Sequence, residues 1–108
     1  MITPEFLQSC TDEQINKGVA WLEVKSMCKL IDRLEYQKFV SISIMNNISR
    51  YCTNPNDAWP IIVSSEMLIR PVFDGSGYWI AKMFQTETYS KNPLRAAMEV
   101  YILMECSK

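Results

Sequence analysis

Apolar residues at helical spacing mark the first predictable element of the chain. Thr11 and Gln14 have the spacing of a capping box, in which two side chains bind the first free N–H groups of a helix. Ile15, Val19 and Leu22 then follow on one helical stripe. The pattern predicts an N-terminal helix that starts after Thr11.

A second stripe of apolar residues at helical spacing begins at Val24 and points to a different side from the first stripe. Either the chain bends near Glu23 or two helices meet there, and we favour a break followed by a second helix. The period changes over residues 40–44, where Val and Ile alternate with Ser in the pattern of a half-buried strand.

The central stretch, residues 51–63, runs from a polar turn into a Trp-Pro step and a β-branched apolar run. Residues 54–57 (Asn-Pro-Asn-Asp) are strong turn signals, because a residue before Pro is pushed out of the helical region. Pro60 cannot donate to a β ladder, so we expect it to open a strand or to lie on an edge. Ile61-Ile-Val63 is the predicted strand.

Two further strands are predicted at residues 67–73 and 78–84. Residues 74–77 (Asp-Gly-Ser-Gly) join them as a hairpin turn, since glycine is available there for positive φ. Pro71 argues for an edge position. The short connections put these strands and the one before them in meander order. The polar residues 85–91 are predicted to be an exposed connection.

The last helix has a well-matched start. Asn92 is a favourable N-cap, and Pro93 suits the first helical position. From Leu94 to Met104 only Arg95 and Glu99 are not apolar. A helix that is apolar almost all round has to be covered on more than one side. We expect the sheet on one side, and either the N-terminal helix or a second copy of the protein on the other.

Together these elements predict a single α+β domain over residues 1–108. Its three- to four-stranded antiparallel sheet is in meander order and is packed by the N-terminal and C-terminal helices. A chain of 108 residues, 48% of them hydrophobic, is large enough to bury a core. The 11 Lys and Arg nearly cancel the 12 Asp and Glu. The clustered positive charge that non-specific nucleic-acid binding needs is therefore not seen.

No apolar run approaches the roughly 20 residues of a membrane-spanning helix. The first residues also lack the basic start and apolar core of a signal peptide. We therefore expect neither a membrane nor a nucleic-acid partner. The four cysteines are scattered without a Cys-x-x-Cys pair, and we expect them to be reduced thiols in a cytoplasm.

The absence of His limits the chemistry of the chain. A zinc site would need all four cysteines or help from carboxylates, so we expect no metal and no cofactor. A Ser or Cys nucleophile would lack its usual base, and no glycine-rich phosphate loop is present. These observations predict a protein that is not an enzyme.

The polar cluster of the central stretch has two interpretations. In the first, the short side chains of residues 54–57 cap the turn while Trp59 anchors it to the core. In the second, the same amides and carboxylate line a pocket, with Trp59 or Trp79 as a stacking wall.

Two arginines could complete such a pocket by binding an anionic ligand. Arg95 is the better placed, because it lies near the amino end of the last helix, where anions are favoured. The alternative for Arg95 is an ordinary surface pair with Glu99. The complete set of candidate ligand- or partner-binding residues is Asn54, Asn56, Asp57, Trp59, Arg70, Trp79 and Arg95.

Two motifs carry a family resemblance. Residues 51–63 (Tyr-Cys-Thr-Asn-Pro-Asn-Asp-Ala-Trp-Pro-Ile-Ile-Val) and 92–98 (Asn-Pro-Leu-Arg-Ala-Ala-Met) together resemble the signatures of the NinX-like bacteriophage proteins. Trp79-Ile-Ala81 resembles the short strand before the closing helix of that family. The resemblance covers residues 11–22 and 51–104. It implies a small phage or prophage accessory protein in the host bacterial cytoplasm, and it implies no established activity.

The resemblance and the residues together lead us to expect a non-enzymatic accessory protein that binds a host component, with counter-defence as the context. One alternative is sequestration of a small nucleotide signal, with Trp59 or Trp79 for stacking and Arg95 or Arg70 for phosphate. A second is a homodimeric interaction module, in which the last helix exposes apolar surface and blocks a host enzyme. A hydrolase built on carboxylates such as Asp57 is the least favoured class.

Overall fold

A computed structural model describes residues 2–24 and 50–106. The predicted second helix and the predicted strand at residues 40–44 lie outside the described residues. The described part of the chain contains helices and strands in the order α1 Pro4–Gln8, α2 Asp12–Val24, α3 Pro55–Ser64, β1 Leu68–Pro71, β2 Trp79–Met83, β3 Thr86–Ser90 and α4 Pro93–Cys106. Within these ranges, no helix is both long enough and apolar enough to cross a bilayer.

Helix α2 begins with the predicted capping box. The Thr11 N–H donates to Gln14 Oε1 at 2.8 Å, and the Gln14 N–H donates to Thr11 Oγ1 at 3.2 Å. Ile15, Val19 and Leu22 are buried on the inner face of the helix. The predicted N-terminal helix is therefore confirmed.

Helix α4 also starts as predicted. Asn92 Oδ1 accepts a hydrogen bond from the Leu94 N–H at 2.9 Å, and Pro93 is the first helical residue. Every residue from Arg95 to Leu103 is buried. The helix packs against β2 and β3 on one side and against α2 on another. An almost wholly apolar helix is thus covered on several sides within a single chain.

The sheet is antiparallel, with its strands in the order β1-β2-β3. The predicted turn between β1 and β2 is confirmed: the Ser76 N–H donates to Asp74 Oδ1 at 2.9 Å. Gly75 and Gly77 in this turn have φ values of 81° and 80°, which a side chain would strain. The α+β fold with a three-stranded meander is confirmed.

Residues 61–63, predicted as a strand, are helical instead and belong to α3. Ala58, Ile61 and Ile62 are buried, and their spacing puts them on one helical face. Pro60 lies on the exposed side of this helix. The free energy gained by burying the apolar face outweighs the β preference of the Ile-Ile-Val run. It also outweighs the cost of the backbone hydrogen bond that is lost at Pro60.

The third strand of the sheet also differs from the prediction. Residues 85–91 were expected to be an exposed connection, yet Thr86–Ser90 form β3 and pair with β2. Thr88 is 2% exposed, and its hydroxyl donates to the carbonyl oxygen of Ala96 at 2.5 Å. A polar strand can pack against α4 because the buried hydroxyl is hydrogen-bonded.

Candidate functional site

The candidate residues of the central turn lie at the start of α3. Asn54 caps the helix by accepting a hydrogen bond from the Asn56 N–H at 3.0 Å. Asp57 Oδ2 accepts from the backbone N–H of Arg50 at 2.9 Å. Trp59 is 61% exposed, on a different side of α3 from its buried face. The capping interpretation is therefore confirmed for Asn54, whereas Trp59 does not anchor the turn to the core.

Trp79 and Arg70 lie on opposite faces of the sheet. Trp79 lies on the same face of β2 as Ala81, the face that packs against the helices, and its side chain is half-buried. Arg70 is exposed and pairs with Ile80 on the other face. The structure does not bring these two side chains to one surface.

Arg95 is buried and joins three segments of the chain. Its Nε donates to Glu99 Oε2 at 2.7 Å, and its Nη1 donates to Asp12 Oδ1 at 2.6 Å. Its Nη2 donates to the backbone carbonyl oxygens of Leu7 and Cys10 at 2.8 and 2.6 Å. The predicted pair with Glu99 therefore exists, but Arg95 is only 9% exposed, so it is not a surface pair.

The hydrogen bonds of this network stabilise the charge of Arg95. Burial alone would lower the pKa of Arg95, but the hydrogen bonds to Asp12 and Glu99 outweigh it and raise the pKa. Arg95 thus stays charged. Nε and both terminal nitrogens of the guanidinium are hydrogen-bonded. The group therefore mainly holds the end of α1 and the start of α2 against α4.

Asn92 ties the start of α4 to the central stretch. Its side-chain nitrogen donates to the Cys52 carbonyl oxygen, while its side-chain oxygen caps the helix. Burial raises the pKa of the Cys52 thiol to about 12, so this thiol stays protonated at neutral pH and is a poor nucleophile. Among the described residues, no group of three or more His, Cys, Asp or Glu is arranged to hold a metal ion.

A cleft of about 430 Å³ opens beside the Arg95 network. Its walls come from α4, from the end of β3 and the residues after it, from Tyr78 before β2, and from the segment around the start of α2. The lining residues are Gln8, Cys10, Asp12, Tyr78, Tyr89, Ser90, Lys91, Asn92, Arg95 and Glu99. Of the candidate residues selected from the sequence, only Arg95 lines this cleft.

Glu99 is the unusual residue of the cleft. It is 2% exposed, and its Oε1 has no hydrogen-bond partner among the described residues. Burial raises the pKa of this carboxyl, although the hydrogen bond from Arg95 acts in the opposite direction. Leaving a buried acceptor unsatisfied costs about 1–3 kcal/mol. A donor group that enters the cleft would remove that cost.

The outer part of the cleft carries a cation. The Nζ of Lys91 lies 5.7 Å from the centroid of the Tyr78 ring, and both residues line the cleft. None of the ion pairs in the described part of the chain includes Lys91. The cleft therefore combines a buried acceptor, an aromatic wall and an exposed ammonium group.

Sequence reasoning missed Glu99, Lys91 and Tyr78 as site residues. A signal for Glu99 was present, because a carboxylate in an otherwise apolar helix has to be buried with a partner. Lys91 and Tyr78 flank two strands, and they meet only in the register that pairs Trp79 with Ser90. Nothing in the sequence indicated that register.

The chain matches one known protein family along most of its length. The family model described as Bacteriophage P22, NinX matches residues 9–105. No curated protein and no solved structure matches the chain. The matched range includes α2, α3, the whole sheet and nearly all of α4. The chain therefore belongs to the NinX family of bacteriophage proteins.

Proposed function

We propose that the protein is a non-enzymatic phage accessory protein that binds a small host molecule in the cleft beside α4. One observation carries the proposal: Glu99 lines the cleft, and its buried Oε1 has no partner among the described residues. Most buried polar atoms in folded proteins are hydrogen-bonded. A bound ligand with an N–H or O–H group would donate the hydrogen bond that Glu99 Oε1 lacks.

The composition of the cleft favours binding over catalysis. Asp12 and Glu99 are its carboxylates, and each bonds to Arg95. A nucleophile needs an activating partner. The Cys52 thiol nearby is held in its neutral form.

The family supplies the setting of the proposal. A protein made by a phage acts inside an infected bacterium, so the molecules it meets are those of the host. Sequestration of a host signal molecule would serve counter-defence. Its effect would depend only on affinity and on the amount of protein made.

The homodimer alternative receives less support. It requires exposed apolar surface on the last helix, and every residue of α4 from Arg95 to Leu103 is buried within one chain. The described residues therefore give a second copy no apolar surface on that part of α4.

A retention experiment tests the proposal. The purified protein is mixed with the small-molecule extract of phage-infected host cells and separated from unbound compounds by gel filtration. The protein is then denatured, and released compounds are identified by mass spectrometry. The variants are Glu99→Gln, which puts an amide where the free carboxylate oxygen lies, and Glu13→Gln, which makes the same charge change at a side chain that is 78% exposed.

We expect at least one compound to be enriched on the wild type and on Glu13→Gln and to be lost from Glu99→Gln. A wild-type protein that retains nothing would contradict the proposal. Equal retention by Glu99→Gln would place the binding site elsewhere and would contradict it as well.

A further inference from the structure

We infer that the molecule bound in the cleft is a phosphorylated compound with an amino-substituted planar ring, of the kind represented by a nucleoside monophosphate. The inference rests on the proposed function. It follows from three features that the cleft brings together: the acceptor of Glu99, the ammonium group of Lys91 and the ring of Tyr78.

The amino group is assigned from Glu99. Its Oε2 is occupied by Arg95, so Oε1 has to find its donor elsewhere. The side chain is 2% exposed, so bulk water does not satisfy it easily. Burial raises the pKa of the carboxyl, which disfavours an isolated full charge there. A neutral N–H₂ group on a ring is a donor that suits such a site without bringing a second buried charge.

The phosphate is assigned from Lys91. The cleft is lined by two basic residues, Lys91 and Arg95. Arg95 is bonded to two carboxylates and two carbonyl oxygens, so its charge is already compensated. Lys91 is exposed and takes part in none of the ion pairs found among the described residues. An anionic group at the outer end of the ligand would meet this ammonium.

The planar ring is assigned from the aromatic lining of the cleft. Tyr78 is 41% exposed, so part of its ring is available to a ligand. Flat heterocycles stack on aromatic side chains. The volume of about 430 Å³ lies within the range of small-molecule sites.

Calorimetric titration with matched compounds tests the inference. The probes are adenosine 5′-monophosphate and cytidine 5′-monophosphate, with purine riboside 5′-monophosphate lacking the amino group and adenosine lacking the phosphate. The protein variants are Glu99→Gln and Lys91→Ala. Lys82→Ala is the control for Lys91, because Lys82 lies on the sheet and pairs with Glu87 at 3.6 Å.

We expect at least one of the two amino-bearing nucleotides to bind the wild type. Removing the amino group, or introducing Glu99→Gln, should weaken binding by about tenfold or more. Lys91→Ala should weaken binding of the nucleotide but not of adenosine, and Lys82→Ala should change neither.

The inference is overturned if neither nucleotide binds, if adenosine 5′-monophosphate binds and purine riboside 5′-monophosphate binds as tightly, if Glu99→Gln leaves binding of the nucleotide unchanged, or if Lys91→Ala behaves as Lys82→Ala does. Its failure can be told apart from failure of the proposed function. An extract compound that lacks phosphate, and that needs Glu99 for retention, would leave the proposed function standing. If the protein retains no compound from the extract, both the proposed function and this inference are contradicted.

Discussion

Arg95 and Glu99 lie one turn apart on α4, both buried, with Nε of the arginine 2.7 Å from Oε2 of the glutamate. The pair is asymmetric. Arg95 has further partners in Asp12 and two backbone carbonyls, whereas the second oxygen of Glu99 has none among the described residues. The same two side chains thus fix the fold and leave one buried acceptor, on a residue that lines the cleft, without a partner among the described residues.

Replacing Arg95 should destabilise the protein strongly. Arg95→Met leaves Glu99 buried without its cationic partner and releases the ends of α1 and α2, so we expect a loss of about 3–5 kcal/mol in the free energy of unfolding. The measurement is urea denaturation followed by circular dichroism. Lys82→Met, at a partly exposed ion pair with Glu87, is the control and should cost at most about 1 kcal/mol. Equal losses for the two variants would contradict the role assigned to Arg95.

The stability contribution of Glu99 should depend on pH with a defined sign. Burial raises the pKa of this carboxyl above its usual value of 4.5, against the opposing effect of Arg95. The folded state therefore keeps the proton where the unfolded chain has lost it. The contribution is complete below pH 4.5 and declines as the pH rises through the raised pKa.

We test this sign by subtracting the free energy of unfolding of Glu99→Gln from that of the wild type at each pH. The difference should fall as the pH rises from below 4.5 through the raised pKa. A difference that rises over the same range would mean that Arg95 holds Glu99 ionised in the fold, and the assigned pKa direction would be wrong.

Helices α2 and α4 and the turn at residues 74–77 were predictable because their signals are local. A capping box, an Asn-Pro start and a glycine-containing turn each act within four residues. The Asn-Pro signature occurs twice, at Asn54 and at Asn92, and both copies start a helix. The first copy is interpreted as a turn from the sequence, because a residue before Pro is pushed out of the helical region.

The parts that were not predictable depend on distant contacts. Strand β3 is polar, and it is ordered by pairing with β2 and by the bond from Thr88 to α4. The cleft depends on Arg95 reaching Asp12, which is 83 residues away in the chain. The charged pair in α4 was visible in the sequence, but its burial and its partners were not.

The bond from Thr88 to α4 gives a prediction about β3. Thr88→Val keeps the shape of the side chain and removes the hydroxyl that donates to Ala96. We expect a loss of about 1 kcal/mol in the free energy of unfolding. Thr86→Val is the control, because Thr86 lies on the same face of β3 and is only half-buried. A loss at Thr86 as large as that at Thr88 would argue against this bond as an anchor.

Trp59 should matter little for stability and for binding in the cleft. Its side chain is 61% exposed on α3, and it does not line the cleft. We expect Trp59→Ala to change the free energy of unfolding by at most about 0.5 kcal/mol and to leave retention of the extract compound unaltered. Loss of the compound from this variant, with the fold intact by circular dichroism, would restore the central turn as the binding site.

The central claim is that Glu99 offers an unsatisfied acceptor to a ligand in the cleft. The most direct test is the dissociation constant of the retained host compound, measured by calorimetry for the wild type, Glu99→Gln and Glu13→Gln. We expect Glu13→Gln to bind as the wild type does and Glu99→Gln to bind about tenfold more weakly or worse. Equal dissociation constants for all three proteins would contradict the account.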